Sequence, residues 1–457
     1  MAAPTFEIVY KHIHNPDASA PLIIPILVLS NTSDDDLARN IAHNTARDLP
    51  WLKAAPAHDG IAVMVGGGPS AADHIEHIRF LAGSGATVFA MNAASAWLRG
   101  QGVPVDYQVI CDAKAETTAL VDRHARGHLF ASQVNPRTMD AVPAPTVWHL
   151  EIGDVERHFP PERVKRGCYV LLGGGASVGN SALCVAYALG YRRLELYGYD
   201  SSHRDGASHA YRQPMNDWIP TVDVEWAGRT YRTSVAMKAQ AEKFQMTAQA
   251  LQQAGCTITA HGDGLLQHMF NAPPQNLTER DKYRTMWRFD SYRDVSPGEV
   301  TVDAFLEMAN PDGLIIDFGC GTGRAALRMQ ERGHEVLGVD FADNCRDQEA
   351  MALPFLEWDL TRPCPARAPY GFCADVMEHI PPEHVDVVLE NIFASAARVF
   401  FRIDTEEDVC GALIKEHLHL SVFPHAEWRR RLERFGQIVS DAEGPGVSIF
   451  YVVKEQA

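Results

Sequence analysis

Residues 313–323 read GLIIDFGCGTG, an apolar strand that runs into a turn with three alternating glycines. A helix is predicted directly after the turn, from Arg324 to Arg332. Glycine lets the backbone turn tightly and come close to a ligand, because it has no side chain to clash. The pattern therefore predicts a strand–turn–helix unit of a nucleotide-binding α/β fold. By itself it is equally typical of a dinucleotide enzyme.

Three features downstream of this turn favour another class of protein. The strand EVLGVD ends in Asp340, at the distance expected for an acid that hydrogen-bonds a ribose diol. The segment FLEWDL places Trp358 to stack on an adenine and Asp359 to recognise its exocyclic amine. The stretch FCADVMEHIPPEHVDVVLENI has the strand, acidic loop and helix order expected after a fourth strand. A nicotinamide-dependent dehydrogenase would explain only the glycine turn.

In this order, DFGCGTG, VDFADN, WDL and DVMEHIP resemble the motifs of the class I, Rossmann-like S-adenosylmethionine-dependent methyltransferases. The resemblance implies S-adenosylmethionine as the cofactor and assigns residues to each part of it. Those residues are Asp317, Gly319, Gly321 and Gly323 around the methionine end, Asp340 at the ribose, and Trp358 with Asp359 at the adenine.

The catalytic residues are harder to assign. Methyl transfer from a sulfonium is an in-line displacement that often needs only positioning and desolvation. Glu378 and His379 stand where a substrate hydroxyl or amine would be met, so they are the candidate catalytic residues. Capping of a helix that begins at Pro381 explains both residues equally well.

Histidines and cysteines do not predict a metal site. The spacing of His417, His419 and His425 fits no common ligand set on one helical face, so we interpret them as surface or substrate-cleft histidines. The nine cysteines are scattered without a C-x-x-C pair. That pattern is typical of a reduced, cytoplasmic protein.

Two glycine-rich turns occur in the N-terminal half, VGGGPS at 65–70 and GGGASVGN at 173–180. Each follows an apolar strand and opens a helix, so its backbone N–H groups suit an anion. Neither is a P-loop, since the lysine that should follow the glycines is missing. We expect a phosphorylated ligand, ATP or a nucleotide-sugar, bound by Gly67, Gly68, Ser70, Gly174, Gly175 and Ser177.

Acidic residues follow two further predicted strands of this half, Asp112 in VICDAKAE and Asp200 in LYGYDSS. Both are candidates to hold Mg²⁺ against a pyrophosphate, and Asp200 is also a candidate to orient an acceptor. The alternative interpretation makes each of them a cap or turn residue. The polar segment after Asp200 has the character of an active-site loop, in which His209, Tyr211 and Asn216 are candidate substrate contacts and His209 a candidate catalytic residue.

The elements GGGPS, VPVDYQVICDA, ASQVNP, GGGASVGNSA and YGYDSS resemble the 6-hydroxymethylpterin diphosphokinase MptE-like family, which is related to the motility-associated glycosyltransferases. The resemblance implies a nucleotide-phosphate site. It leaves diphosphate transfer and glycosyl transfer both open, and no pterin-specific residue is identified.

At 457 residues the chain exceeds what one hydrophobic core usually organises. Strands alternate with helices in both halves, which predicts an α/β fold class with two doubly wound Rossmann-like domains and largely parallel sheets. We place an N-terminal extension at 1–59, an MptE-like nucleotide-binding transferase domain at 60–270, a linker at 271–282 and a methyltransferase domain at 283–457. The linker prediction rests on the polar, proline-containing stretch FNAPPQNLTERDKY.

The net charge of −17 argues against a nonspecific grip on nucleic acid or an anionic membrane. No apolar run approaches the length that spans a bilayer. We therefore expect a cytoplasmic enzyme with a small-molecule or glycan substrate and no nucleic-acid or membrane partner, and we leave homo-oligomer formation open. The leading hypothesis is a bifunctional enzyme whose two domains act on the same molecule. The alternative is a methyltransferase whose N-terminal domain is a non-catalytic binding or oligomerisation module.

Overall fold

The computed structural model describes residues 6–13, 22–29, 32–150, 171–172, 177–213, 219–274, 277–294 and 296–454. The chain divides into two compact units, Met1–Pro273 and Pro274–Ala457. A helix at Leu265–Asn271 lies near the end of the first unit, and a helix at Glu279–Met286 lies near the start of the second. The segment 271–282, expected to be a linker, therefore reaches into both helices.

The first unit alternates strands and helices along the chain. Its strands are β1 (Phe6–Ile13), β2 (Leu22–Leu29), β3 (His58–Val65), β4 (Thr87–Met91), β5 (Tyr107–Ile110), β6 (Gly127–Ala131), β7 (Thr146–Leu150), β8 (Leu171–Leu172), β9 (Tyr191–Tyr197), β10 (Val222–Trp226), β11 (Arg229–Thr233) and β12 (Thr257–His261). Its helices are α1 (Asp34–Thr45), α2 (Ile75–Gly83), α3 (Ala94–Gly100), α4 (Pro136–Asp140), α5 (Val178–Ala188), α6 (Val235–Gln253) and α7 (Leu265–Asn271), with 3-10 helices at Pro69–His74 and Ala115–Leu120.

The main sheet of this unit has the strand order β12-β9-β3-β4-β5-β6-β7-β8, and every neighbouring pair is parallel. β1 with β2 and β10 with β11 form separate antiparallel pairs. The chain leaves β3 toward β4 and later returns to place β9 on the other side of β3. This reversal creates a topological switch point, where ligands of open α/β sheets bind.

The second unit has its own sheet. Its strands are β13 (Ile315–Phe318), β14 (Val336–Asp340), β15 (Phe355–Glu357), β16 (Ala368–Ala374), β17 (Ala396–Asp404), β18 (Gln437–Gly444) and β19 (Val447–Val453). Its helices are α8 (Glu279–Met286), α9 (Asp290–Arg293), α10 (Pro297–Ala309), α11 (Arg324–Glu331), α12 (Val385–Ser395) and α13 (His425–Leu432), with 3-10 helices at Gln348–Ala352, Met377–His379 and Cys410–Leu413.

The strand order of the second sheet is β15-β14-β13-β16-β17-β19-β18, parallel except for β19, which is antiparallel to both of its neighbours. Successive residues of β13 serve opposite faces. Ile316 packs in a core with Val388 and Leu389 of α12, whereas Ile315 packs in a second core with helix residues such as Phe305 of α10. Helices thus cover both faces, and the switch point lies between β13 and β16.

The predicted fold class is confirmed, since both units are α/β with largely parallel sheets. Within the described part of the chain, no helix has both the length and the apolar character needed to span a bilayer.

Candidate functional site

The glycine turn after β13 lies at the switch point of the second sheet. The φ angles are +70° at Gly319, +47° at Gly321 and +78° at Gly323, a region that residues with a Cβ rarely adopt. A Cβ at Gly321 would lie 2.9 Å from the Trp287 ring, and one at Gly323 would lie 2.6 Å from the Ala350 Cβ. Conformation and space both require glycine here, so the turn forms a cradle of bare backbone.

Asp340, at the end of the neighbouring strand β14, is buried and braces this turn. Its Oδ2 accepts the N–H of Gly321 at 3.0 Å, and its Oδ1 accepts the N–H of Ala342 at 2.9 Å. Burial raises the pKa of Asp340 to about 6, against the opposing effect of these hydrogen bonds. Each carboxylate oxygen has a second lone pair, so the group is still able to accept hydroxyl protons.

Asp317, within β13, is the second buried carboxyl group of the site. Its Oδ2 has no hydrogen-bond partner among the described residues. Burial, followed by the charge of Asp340, raises the pKa of Asp317 to about 7. An unpartnered carboxylate is costly inside a protein unless a cation or a donor reaches it. The pair is therefore suited to a positively charged ligand group.

Trp358 and Asp359 follow β15, on the side of β14 away from β13. The backbone N–H of Trp358 donates to the carbonyl of Asp340 at 2.8 Å, which fixes the residue beside the Asp340 loop. The guanidinium of Arg362 lies over its indole ring, 4.8 Å from the centroid. The Oδ1 of Asp359 accepts both the N–H and the hydroxyl of Thr361, at 2.9 and 2.8 Å. One oxygen of Asp359 therefore closes a local turn.

The segment before the glycine turn contributes residues that sequence reasoning did not assign. Arg284 of α8 forms a two-bond ion pair with Asp343, at 2.8 and 2.5 Å. Arg293 of α9 pairs with Asp347 at 2.7 Å. These pairs hold α8 and α9 against the loop after β14 and bring Trp287 over Gly321. The aromatic and arginine-rich stretch YRTMWRFDSYR was the available signal.

Glu378 and His379 form the 3-10 turn after β16. Glu378 is fully buried, its Oε1 accepts the N–H of Asp404 at 3.0 Å, and burial raises its pKa to about 7. Burial lowers the pKa of His379 to about 3. The following helix, α12, begins at Val385 rather than Pro381. Helix capping is therefore wrong as an explanation of either residue.

The three histidines near the C-terminus do not form one cluster. His417 is exposed. His425 lies 3.0 Å from the Ser448 hydroxyl and 3.2 Å from the Asp441 carboxylate. The ring of His419 instead lies 4.8 Å from the ring of His379, centroid to centroid. Side chains separated by forty positions in the sequence thus meet next to Glu378.

In the first unit, Asp200 lies at the end of β9 and occupies the N-terminus of the Pro69–His74 3-10 helix. Its Oδ2 accepts the backbone N–H of Ser70 at 3.1 Å and the Ser70 hydroxyl at 2.9 Å. A Cβ at Gly68 would collide with the same carboxylate. Burial raises the pKa of Asp200. The carboxylate thus uses one of the N–H groups that the sequence offers to a phosphate.

His209 lies against the glycine-rich turn at 65–70, on the side of Gly67. The N–H of Ala210 donates to the Gly67 carbonyl at 2.9 Å, and a Cβ at Gly67 would lie 2.5 Å from the His209 ring. The hydroxyl of Tyr211 would lie 2.9 Å from the same Cβ at Gly67. Burial lowers the pKa of His209 to about 4, so its ring is neutral at physiological pH.

The second glycine-rich turn is described from Ser177 onward. Ser177 caps α5 by accepting the N–H of Asn180 at 3.3 Å. The hydroxyl of buried Tyr199 donates to the Gly179 carbonyl at 3.1 Å, and a Cβ at Gly66 would lie 3.5 Å from the same ring. The start of α5 and the turn after β3 therefore meet on either side of Tyr199. The candidates Gly174, Gly175 and Asn216 lie outside the described residues.

Asp112 has a local role in the structure, since its Oδ1 accepts the N–H of Lys114 at 2.9 Å. In the part of the chain that the structure describes, neither Asp112 nor Asp200 belongs to a group of three metal-ligating side chains. A pocket beside Asp200 is lined by arginines together with a carboxylate that pairs with two of them. Its lining includes Pro69, Ser202, Arg204, Arg229, Arg232 and Asp263.

In the N-terminal unit, residues 35–206 match the family described as 6-hydroxymethylpterin diphosphokinase MptE-like. The predicted resemblance to the MptE-like family is thereby confirmed for this part of the chain. No curated protein matches the chain.

Several solved structures are similar to parts of the chain. The MAf glycosyltransferase of Magnetospirillum magneticum AMB-1 is 19% identical with a TM-score of 0.39, over 50% of this chain and 37% of that one. The chain thus spans little more than a third of that protein. Magnesium protoporphyrin IX methyltransferase of Synechocystis PCC 6803, with bound SAM, is 20% identical with a TM-score of 0.31. The match covers 39% of this chain and 93% of that one. The 1,6-didemethyltoxoflavin-N1-methyltransferase of Burkholderia thailandensis is 17% identical with a TM-score of 0.32. The match covers 41% of this chain and 93% of that one.

Proposed function

We propose that the second unit is an S-adenosylmethionine-dependent methyltransferase. The observation that carries this proposal is the bare-backbone turn at 319–323 beside two buried carboxyl groups, at the switch point of a parallel sheet. The turn offers contact with backbone, and the carboxyl groups offer negative charge. S-adenosylmethionine carries both an ammonium group and a sulfonium, so its charge suits that pair.

Each residue has a distinct task in this proposal. The unpartnered Oδ2 of Asp317 accepts from the ligand ammonium group, and Asp340 accepts from the ribose hydroxyls while it keeps the turn in place. Trp358 provides a flat surface for the adenine beside the Asp340 loop. The cofactor supplies a methyl group on a positively charged sulfur. Glycine is required at 319, 321 and 323, because a Cβ there would collide with Val376, Trp287 and Ala350 and distort the turn.

Calorimetry with S-adenosylhomocysteine tests this assignment. Gly321→Val should abolish binding to the full chain, because its side chain collides with Trp287 and blocks the cradle. Gly333→Val is the matched control: Gly333 also has a positive φ, +91°, but a Cβ there would meet none of the described atoms within 4 Å. Unchanged affinity in Gly321→Val, or equal loss in both variants, would refute the assignment.

For the first unit we propose a nucleotide-dependent transferase that moves a diphosphoryl or glycosyl group from ATP or a nucleotide-sugar to a small molecule or glycan. The proposal is supported by the match at 35–206 and by the pocket beside the switch point. Arg204, Arg229 and Arg232 line that pocket, where Arg204 and Arg229 pair with Asp263 and Arg232 pairs with Asp223. A phosphate bound there would compete with these carboxylates for the guanidinium groups, which bind phosphate oxygens in the same way.

A specific observation supports a second candidate, a non-catalytic binding module. The Asp200 carboxylate already caps Ser70, so a purely structural role explains its position. Turnover of ATP or a nucleotide-sugar in the wild type, lost in Asp200→Asn, supports the transferase. If chelation also removes turnover, Asp200 or Asp112 acts through Mg²⁺, whereas insensitivity to chelation supports orientation of an acceptor. Nucleotide binding without turnover supports the binding module.

A further inference from the structure

Three potential metal ligands meet beside the cofactor cradle. Glu378, His379 and His419 each offer one ligand atom, and these atoms lie within 4.8 Å of one another. The backbone holds the two segments together, because the N–H groups of Leu420 and Ser421 both donate to the Glu378 carbonyl, at 2.7 and 2.9 Å. The cluster is therefore a product of the fold and not of chance side-chain rotation.

Both imidazole rings are oriented in the way that metal-binding histidines require. The Nδ1 of His379 lies 3.0 Å from the Leu418 carbonyl oxygen, and the Nδ1 of His419 lies 2.7 Å from the Glu406 carbonyl oxygen. A carbonyl oxygen only accepts, so each Nδ1 carries the proton and donates it. Each Nε2 is then left with a lone pair. Fixing a ligand histidine through its other nitrogen is the usual arrangement around protein-bound metals.

The carboxylate completes the set. Glu378 is fully buried, and its Oε1 accepts the N–H of Asp404. Its Oε2 is buried, and no described residue provides it with a hydrogen-bond partner. A buried carboxylate oxygen with no donor is costly, and a cation at this position would remove the cost. One carboxylate lone pair and two imidazole lone pairs thus converge on one small volume.

We propose that Glu378, His379 and His419 bind a divalent transition-metal ion through Oε2 and the two Nε2 atoms. Two imidazoles and one carboxylate suit zinc, iron, cobalt or manganese better than magnesium or calcium, which prefer all-oxygen ligands. Bonds of about 2.0–2.2 Å to such ions require ligand atoms that lie closer together than the 4.8 Å within which these residues offer theirs. The ion must therefore draw the three side chains together when it binds.

Three protein ligands leave coordination positions open. Resting on the methyltransferase assignment, we infer that these positions receive a hydroxyl oxygen of the methyl acceptor, because a bound cation orients such a group and lowers its pKa. The acceptor class is then a hydroxylated small molecule or glycan. Glu378 and His379 are metal ligands in this account rather than a proton acceptor and its partner.

Cobalt binding to the full chain, stripped of metal with a chelator, tests the site without any need for methyl transfer. Titration calorimetry with Co²⁺ should show one ion per chain, and His419→Ala should weaken binding at least about tenfold. His417→Ala is the matched control, since His417 lies two positions away and is exposed. His419 is only partly buried, so its loss should leave the fold intact, as a circular dichroism spectrum would verify.

Cobalt could also bind a second group of potential ligands in the described part of the chain. These are Cys320, Asp340 and Cys345. Cobalt bound there would show a thiolate charge-transfer band that persists in His419→Ala and disappears when Cys320 and Cys345 are both replaced by serine, which would overturn the proposal. Absence of Co²⁺ binding, or equal affinity in His419→Ala and wild type, would also overturn it. Calorimetry with S-adenosylhomocysteine on the same samples keeps this outcome separate from failure of the methyltransferase assignment.

Discussion

Asp317→Asn should stabilise the second unit while weakening its cofactor site. The pKa of Asp317 rises from its ordinary value of 3.8 to about 7 on folding, chiefly because the carboxyl group is buried. At 1.36 kcal/mol per pKa unit this rise corresponds to about 4 kcal/mol of lost stability once the group is ionised. Asparagine has nearly the same shape and does not ionise, so it avoids this cost.

The sign and the pH window follow from the two pKa values. Below pH 4 the carboxyl group is protonated in both the folded and the unfolded chain, and the substitution should change little. Between pH 4 and 7 the unfolded chain ionises first, so the wild type loses stability relative to Asp317→Asn. Above pH 7 the difference is constant. Interaction with Asp340 spreads the transition over both groups, which makes about 4 kcal/mol an upper value.

Scanning calorimetry of the full chain at a series of pH values measures the effect, with the transition that shifts on addition of S-adenosylhomocysteine assigned to the second unit. Asp303→Asn is the control, because Asp303 is half-exposed and pairs with Arg328 and Arg332 on the surface. A gain in melting temperature at pH 8 that disappears near pH 4 is expected only for Asp317→Asn. Equal destabilisation at every pH would contradict this expectation and show instead that the Asp317 carboxylate makes a required hydrogen bond.

Three other substitutions or titrations have defined outcomes. Asp340→Ala removes a charged acceptor worth on the order of 1.5–3 kcal/mol and should weaken S-adenosylhomocysteine binding at least about tenfold in calorimetry; an effect below about twofold would mean that the ribose is held elsewhere. Asp200→Ala leaves the N–H and hydroxyl of Ser70 without their acceptor, so it should destabilise the first unit by on the order of 2–3 kcal/mol, which Asp200→Asn should partly restore in denaturant melts. If Asp200→Ala were neutral, the cap would be energetically unimportant. His209 should show an NMR titration near pH 4 rather than near its ordinary 6.5, because burial lowers its pKa; a titration at the ordinary value would mean that its loop is open in solution.

Local patterns were sufficient to predict the fold class. The apolar strand at 314–318, followed by glycines and a helix, indicated a parallel α/β arrangement, since such strands must be covered on both faces. The position of Asp340 beside the glycine turn also follows from strand adjacency: β13 and β14 are consecutive in the chain and neighbours in the sheet. Residues that follow consecutive parallel strands meet at one edge, so sequence order is a good guide there.

Contacts between distant segments could not be predicted in the same way. His419 reaches Glu378 because the segment between β17 and α13 runs back to the turn that follows β16. No hydrophobic periodicity in the sequence indicates this contact. Trp287 lies over Gly321 for a similar reason, since the buried side chains of α8 and its ion pair with Asp343 join segments that are distant in the sequence. The Asp200 carboxylate was expected to face a ligand, yet its hydrogen bonds to Ser70 depend on β9 and β3 being neighbours in the sheet.

Hydrogen exchange of the full chain, with and without S-adenosylhomocysteine, shows directly whether this ligand binds at the glycine turn. We expect the ligand to protect amides at 318–324, in the glycine turn, and at 340–342, after β14, with weaker protection at 358–361. Amides of the first unit should be unchanged by this ligand. Protection confined to the first unit, or none at 318–324 at a saturating concentration, would contradict the assignment of the cofactor site.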